Sequence, residues 1–394
     1  MKIVNYILLL VAFVIVGCEE MPTEKVNTLP SMHPYYVDIT IPANIAPLNF
    51  IMNDSAQGID VYIDGVLFDR SGSNKMEFNV GKWREMMTSK KGTTVSVVVE
   101  ATYGDKKRRY NPFTWTIADS IDSYITYRLL APGSEVPQDT SFSPSGRYIT
   151  FSENTTIPVY HSDANKRIDF FDVKSDVYVT DVKSGKRVAA PQLADSILLE
   201  TSPSFSSDGK YIYFCRATKT EKVKDTQYDL CRVSFDEKTG IVGDSIETVV
   251  KAVKGQKSSI CYPRVSPDGN YLLYTVADYG TSPIWHQESD LRMMDLRTGE
   301  IDSLQDVNSD RSDTYHCWSS NGRWFVFASK RDDGIYNKLY FCYVDTAGKV
   351  YKPFVLPQEN PLYYDYTLKS FNVPELGKGK VPFDAQSVRK LIDN

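Results

Sequence analysis

The feature that most constrains the fold is a phrase the chain repeats: Thr140–Ser152 (TSFSPSGRYITFS), Ser202–Ala217 (SPSFSSDGKYIYFCRA), Tyr262–Ala277 (YPRVSPDGNYLLYTVA) and Tyr315–Lys330 (YHCWSSNGRWFVFASK). Each copy joins a short strand, a Ser/Pro–Asp/Ser/Asn–Gly turn and a second strand that alternates aromatic or aliphatic residues with others. The turn glycines Gly146, Gly209, Gly269 and Gly322 supply the positive φ of a tight hairpin and lie 63, 60 and 53 residues apart, an interval that marks an array. A second motif follows each first one, at Ser175–Gly185, Tyr228–Gly240, Ser289–Gly299 and Asn337–Gly348. It reads as another alternating strand entering a Gly turn. Two hairpins per unit make four antiparallel strands, and such a unit repeated around an axis is a propeller blade.

In chain order, residues 1–18 (MKIVNYILLLVAFVIVGC) carry one Lys and an apolar run too short to span a bilayer comfortably, then a small residue before Cys18. This resembles a bacterial lipoprotein signal, which implies export and acylation of Cys18. Residues 19–34 are polar and aperiodic and read as a tether. Residues 35–120 read as a β-sandwich of immunoglobulin or fibronectin type, with strands at 36–41, 48–52, 59–68, 75–80, 93–103 and 108–117 and a helical stretch at 82–89. Residues 121–394 hold the array. Four blades occupy about 139–357, and the strand-like segments Tyr124–Leu130 and Thr367–Val373 at its two ends predict a fifth blade shared between them, which would close the ring and bury its edges. Five blades are preferred, six possible.

The chemistry of the chain is mostly one of exclusions. A net charge of −5 and a pI near 5.6 speak against nucleic acid. The sequence has no Gly-x-Ser-x-Gly elbow, His-Glu-x-x-His, P-loop or dinucleotide fingerprint. The Asp-rich 306–313 lacks the ordered spacing of a calcium loop. Of four histidines, His161 and His286 stand in similar places in their units, just before the Ser-Asp strand. With Asp163, Glu288 and Asp290 near, they form a candidate polar-ligand or metal site at one end of the ring; inter-blade packing is the competing reading. Trp285 stands in a loop-like Ser-Pro-Ile-Trp-His stretch and is a candidate sugar-stacking face. The cysteines other than Cys18 read as buried free thiols.

The Ser-Pro-Asp-Gly hairpins followed by Ser-Asp-Leu-x-x-x-Asp-Leu-x-Thr-Gly resemble the blades of TolB-type propellers. Ile41–Phe50, Tyr127–Gly133, Ile284–His286, Trp318–Phe327 and Lys352–Gln358 are similar to a family of TolB-like translocation lipoproteins of Gram-negative envelopes. The resemblance implies an all-β lipoprotein of the outer membrane, with no established activity. Longer relatives carry a Cys-x-x-Cys-His haem insert that this chain lacks, so no cofactor is carried over. The expectation is a non-catalytic binding platform for an envelope protein or a surface glycan. The alternatives are a surface carbohydrate receptor, or an accessory subunit of an envelope redox or transport complex.

Overall fold

The computed structural model describes residues 21–130, 140–160 and 168–380. The front of the chain builds two sheets and a helix. The larger sheet runs Thr23–Lys25, Lys106–Arg109, Thr94–Tyr103, Phe113–Ala118, Ile39–Pro42; Gly58–Ile63 also pairs with Thr94–Tyr103 and, on its other side, with Val66–Ser71. Two pairings are parallel, Thr23–Lys25 with Lys106–Arg109 and Phe113–Ala118 with Ile39–Pro42. The smaller sheet joins Met32–His33, Phe50–Met52 and Lys75–Met76. Asn79 caps the helix Val80–Ser89 by accepting from the Lys82 amide at 3.0 Å, which ends the strand expected over 75–80 early. Trp83, Met86 and Met87 of that helix are buried. The ring of Trp83 lies 5.3 Å from Phe78 and 5.6 Å from Trp115. Both indoles are satisfied, donating to the carbonyls of Ile45 (3.0 Å) and Tyr36 (2.7 Å). The strand expected over 108–117 is two strands, because Pro112 has no amide to donate to a ladder.

The four repeated hairpins form four antiparallel sheets in chain order. The first comprises Thr140–Phe142, Tyr148–Tyr160 and Ile168–Asp181; the second Leu198–Phe205, Tyr211–Thr218, Asp229–Asp236 and Ile241–Val250. The third comprises Ser259–Val265, Tyr271–Ala277, Asp290–Asp295 and Ile301–Asp302; the fourth Asp313–Trp318, Trp324–Ser329, Lys338–Tyr343 and Phe354–Val355. The turn chemistry explains the repetition. Gly209 and Gly269 have φ of 70° and 75°, and the serine opening each turn closes it from the side. Ser206 accepts from the Tyr211 amide at 3.0 Å and donates to Asp208 at 2.7 Å, and Ser266 does the same with Tyr271 (2.9 Å) and Asp268 (2.6 Å). Tyr124–Leu130 pairs with Ser370–Gly377, from Tyr124 opposite Gly377 to Leu130 opposite Ser370, so both ends of the array meet in one two-stranded sheet.

The first strands of successive sheets adjoin one another, and the last adjoins Ser370–Gly377. Apolar residues fill the spaces between sheets: Tyr148, Val179, Phe205, Phe214 and Phe235 between first and second, Tyr213, Leu230, Leu272 and Tyr274 between second and third. The core between third and fourth runs on into the front sheets. Each fully buried aromatic stabilises by about 1.5–3 kcal/mol. This is a propeller-like all-β fold. One sheet departs from this regularity. Tyr148–Tyr160 and Ile168–Asp181 are 13 and 14 residues long, against 8 or fewer in their counterparts in the third and fourth sheets. The arm they form reaches the neighbouring sheets, where Asp172 accepts from Tyr228 Oη at 2.7 Å and Thr281 Oγ1 at 2.8 Å.

Candidate functional site

Of the residues singled out in the sequence, Cys18 and His161 lie outside the described residues, as does Asp163. Trp285 sits in a short turn of 3-10 helix at Pro283–Trp285, 7% exposed, with Lys330 Nζ 5.1 Å from its ring centroid. His286 is 2% exposed, its Nδ1 2.9 Å from Glu288 Oε1 and its ring edge-on to Tyr279. Asp290 opens the next strand and pairs with Lys257; burial raises its carboxyl pKa and Lys257 opposes that shift. These three residues therefore share one end of the third sheet, packed among their neighbours. Among the described residues no group of three or more His, Cys, Asp or Glu side chains is placed to hold a metal.

A different constellation emerges from the first strand of each sheet, the inner strand, which adjoins the first strand of the next. Ser202, Tyr262, Tyr315 and Val373 occupy the same place in four successive inner strands, and all have left-handed backbone, with φ of 52°, 54°, 44° and 50°. The strand register shifts beside each of them, the mark of a β-bulge. For tyrosine and for β-branched valine this conformation is strained, by about 1–2 kcal/mol per residue. Such strain persists where surrounding structure fixes it, often at functional sites. Here the rings of Tyr262 and Tyr315 stack, 5.0 Å between centroids.

Two residues beyond each strained position stand Ser204, Arg264, Cys317 and Glu375, with Ser141 the matching residue of the first sheet. Side chains at this position reach the next inner strand: Ser141 Oγ accepts from the Phe205 amide at 3.2 Å, and Cys317 Sγ accepts from the Leu376 amide at 3.4 Å. The Cys317 thiol also donates to Glu375 Oε2 at 3.1 Å. Burial, and after it the Glu375 carboxylate, push that thiol well above its ordinary pKa, so it keeps its proton. Arg264 is half-buried, and among the described residues its guanidinium makes no hydrogen bond or ion pair. Its backbone carbonyl accepts from Trp318 Nε1 at 3.1 Å, which holds the Arg264 and Cys317 strands side by side. His316, 1% exposed, lies next to them with Nε2 3.0 Å from the Leu273 carbonyl. Burial, then the Arg264 charge, lower its pKa to about 3, so it is neutral and carries its proton on Nε2. The constellation thus joins one cation unpaired among the described residues, one protonated thiol and one carboxylate. Aligning the repeats on their turn serines shows Ser, Ser, Arg and Cys at one variable polar position inside a constant frame; that signal was present in the sequence, and only the register gives it meaning.

Two other polar places are better explained by packing. Glu200 is fully buried on the inner strand of the second sheet; its Oε1 accepts from the Arg216 guanidinium at 3.0 Å, while Oε2 has no partner among the described residues. Burial, opposed by Arg216, raises its pKa to about 7. A cleft of about 870 Å³ lies between the front sheets and residues 358–359, lined by Ile45, Pro47, Phe78, Trp83, Glu77 and Arg84 among others. Its asparagines are already engaged, Asn49 with Glu359 and Phe78 and Asn44 with Ile121.

Fold and site together define a propeller-like protein with a polar constellation on the adjoining first strands of successive sheets. No family model matches the chain, and no curated protein matches it. Among solved structures it is similar to an oligogalacturonate lyase solved with manganese, at 10% identity over 58% of this chain and 72% of that one, TM-score 0.33. It is also similar to a periplasmic gluconolactonase of Pseudomonas aeruginosa, at 15% identity over 67% and 78%, TM-score 0.31. A native arabinanase of Bacillus subtilis aligns at 11% identity over 64% and 84%, TM-score 0.31. These three neighbours are enzymes, which stands against the expected non-catalytic platform. None of the comparisons supports a TolB-type translocation role. At these identities the likeness concerns the fold, and no substrate passes from those enzymes to this chain.

Proposed function

We propose that this chain is an exported lipoprotein, acylated at Cys18 and held at the outer membrane, whose ring carries an acid–base site for a small anionic substrate. The finer architecture belongs to the same reading. Residues 35–120 form a β-sandwich of immunoglobulin or fibronectin type. Residues 121–394 form five blades, the fifth made from Tyr124–Leu130 and Ser370–Gly377.

The observation that carries the reading is the half-buried Arg264 guanidinium with no protein partner among the described residues, beside the Cys317–Glu375 hydrogen bond. The planar fork of an arginine fits a carboxylate or phosphate in two hydrogen bonds. In this account Arg264 binds the anion, and the Cys317 thiol, held protonated by burial, donates a proton to the reacting group. Glu375, as the carboxylate base, takes up a proton released by the substrate and passes it to the thiolate left behind, which restores the thiol. Proton transfer between positioned groups contributes typically 10²–10⁴-fold to a rate.

The test is calorimetric titration with glucuronate, malate and glycerol 3-phosphate, using the wild-type protein and Arg264→Met. Binding of at least one anion that the variant abolishes is expected; no binding to any, or binding that Arg264→Met leaves unchanged, rejects the site. The anchor is tested separately by metabolic labelling with a palmitate analogue, which Cys18→Ala is expected to abolish.

A further inference from the structure

The region read from sequence as a loose tether contains a strand. Thr23–Lys25 pairs in parallel with Lys106–Arg109, placing Thr23 opposite Lys107, Glu24 opposite Arg108 and Lys25 opposite Arg109. The pairing is extended at both ends, where Lys107 N donates to the Pro22 carbonyl and Val26 N to the Arg109 carbonyl, each at 3.0 Å. Thr23–Lys25 is the edge of the seven-stranded sheet and is exposed along its whole length.

This shortens the leash. Thr23 follows Cys18 by five residues, and five residues fully extended span at most about 17 Å. A sixteen-residue tether would have allowed the folded body to stand three times as far off. Resting on the lipid-anchor reading of Cys18, we infer that this basic sheet edge lies against the headgroup layer of the membrane, with an anionic lipid surface as its partner.

The charges on the edge fit that partner. Lys107 and Arg109 turn inward and are neutralised, each at 2.5 Å, by Asp60 and Glu100. Lys106 and Arg108 point to the other face and are exposed; Arg108 lies over the Tyr103 ring, 4.6 Å from its centroid. Lys25 flanks the edge on the Arg109 side and Lys106 and Arg108 flank it on the other, where Glu24 stands opposite Arg108; among the described residues these three cations form no ion pair. Against these three cations stand Glu24 and Asp105, which leaves one net positive charge. Met21, 45% exposed, adds an apolar side chain between the acyl group and the edge. One net cation next to an anionic headgroup layer favours contact about fivefold, and the attraction fades as salt is raised.

The test uses the full-length acylated protein on vesicles of phosphatidylcholine alone and of phosphatidylcholine with phosphatidylglycerol. Two readouts are taken: co-flotation with the vesicles, and the rate at which lysine amines are acetylated, read by mass spectrometry. Expected is flotation on both vesicles, with Lys25 and Lys106 labelled about fivefold more slowly on the anionic ones, while Lys210 and Lys254 of the ring keep their rates. Arg108→Glu is expected to float equally well and to lose the protection at Lys25 and Lys106. Failure to float would remove the anchor reading itself. Flotation with Lys25 and Lys106 labelled as fast as in the Cys18→Ala form in solution, or protection that Arg108→Glu leaves intact, would overturn the docked edge while leaving the anchor in place.

Discussion

Replacing Glu200 by Gln removes a buried carboxyl whose pKa is raised from 4.5 to about 7, and the consequence has a definite sign. Between pH 4.5 and 7 the folded protein holds a proton at this position that the unfolded chain has released. The unfolded state therefore binds fewer protons, and stability falls as pH rises through that window. The shift of roughly two and a half units corresponds to about 3 kcal/mol, developed by pH 7 to 8 and constant above. Glu200→Gln keeps an acceptor for the Arg216 guanidinium at a similar place but cannot ionise. Urea denaturation of both proteins at intervals from pH 4.5 to 8.5 gives the difference directly. The variant is expected to gain on the wild type steadily from pH 4.5 upward, by about 3 kcal/mol in all, and to hold that gain beyond pH 8. A difference that stays flat across the window, or that moves toward the wild type as pH rises, refutes the reasoning.

Three further perturbations test the packing. Gly240 has φ of 77°, and a Cβ there would meet Tyr148 Oη at 2.6 Å; Gly240→Ala is expected to cost about 2 kcal/mol of stability, read by the same denaturation. Arg331 neutralises the fully buried Asp313 at 2.8 Å, so Arg331→Met leaves a buried charge unpaired and is expected to cost about 3–5 kcal/mol at pH 7. Trp115→Phe removes the 2.7 Å hydrogen bond to the Tyr36 carbonyl and opens space against Trp83 and Phe78. A loss of about 2–4 kcal/mol is expected, with the thermal melting temperature lowered accordingly.

What the sequence disclosed is what local chemistry controls. A turn that needs positive φ at glycine, flanked by serine and aspartate and by alternating strands, is written in adjacent residues, so all four hairpins could be placed from it. That Tyr124–Leu130 meets the far end of the array followed from counting the residues left over, since a sheet edge needs a partner; the partner expected over Thr367–Val373 lies at Ser370–Gly377. The strand Thr23–Lys25 escaped notice because a fully exposed, three-residue edge strand has no apolar face to produce a pattern. Trp285 and His286 looked like loop residues because the burial of a short turn depends on what packs over it. Arg264, Cys317 and Glu375 belong together only through the bulge and the succession of inner strands. No spacing within one repeat announces that, although the variable polar position among constant neighbours was there to be compared. The raised pKa of Glu200 was equally invisible, since desolvation is a property of the assembled sheets.

The central claim is that the inner strands hold an acid–base site. The most direct measurement is proton exchange in deuterated water: the anion that binds best in calorimetry is incubated with the protein, and loss of its carbon-bound proton signals is followed by NMR. The account predicts exchange catalysed by the wild type, lost in Arg264→Met with binding, and lost in Cys317→Ala and Glu375→Gln while binding persists. Exchange no faster than in buffer, or exchange that survives both Cys317→Ala and Glu375→Gln, would contradict it.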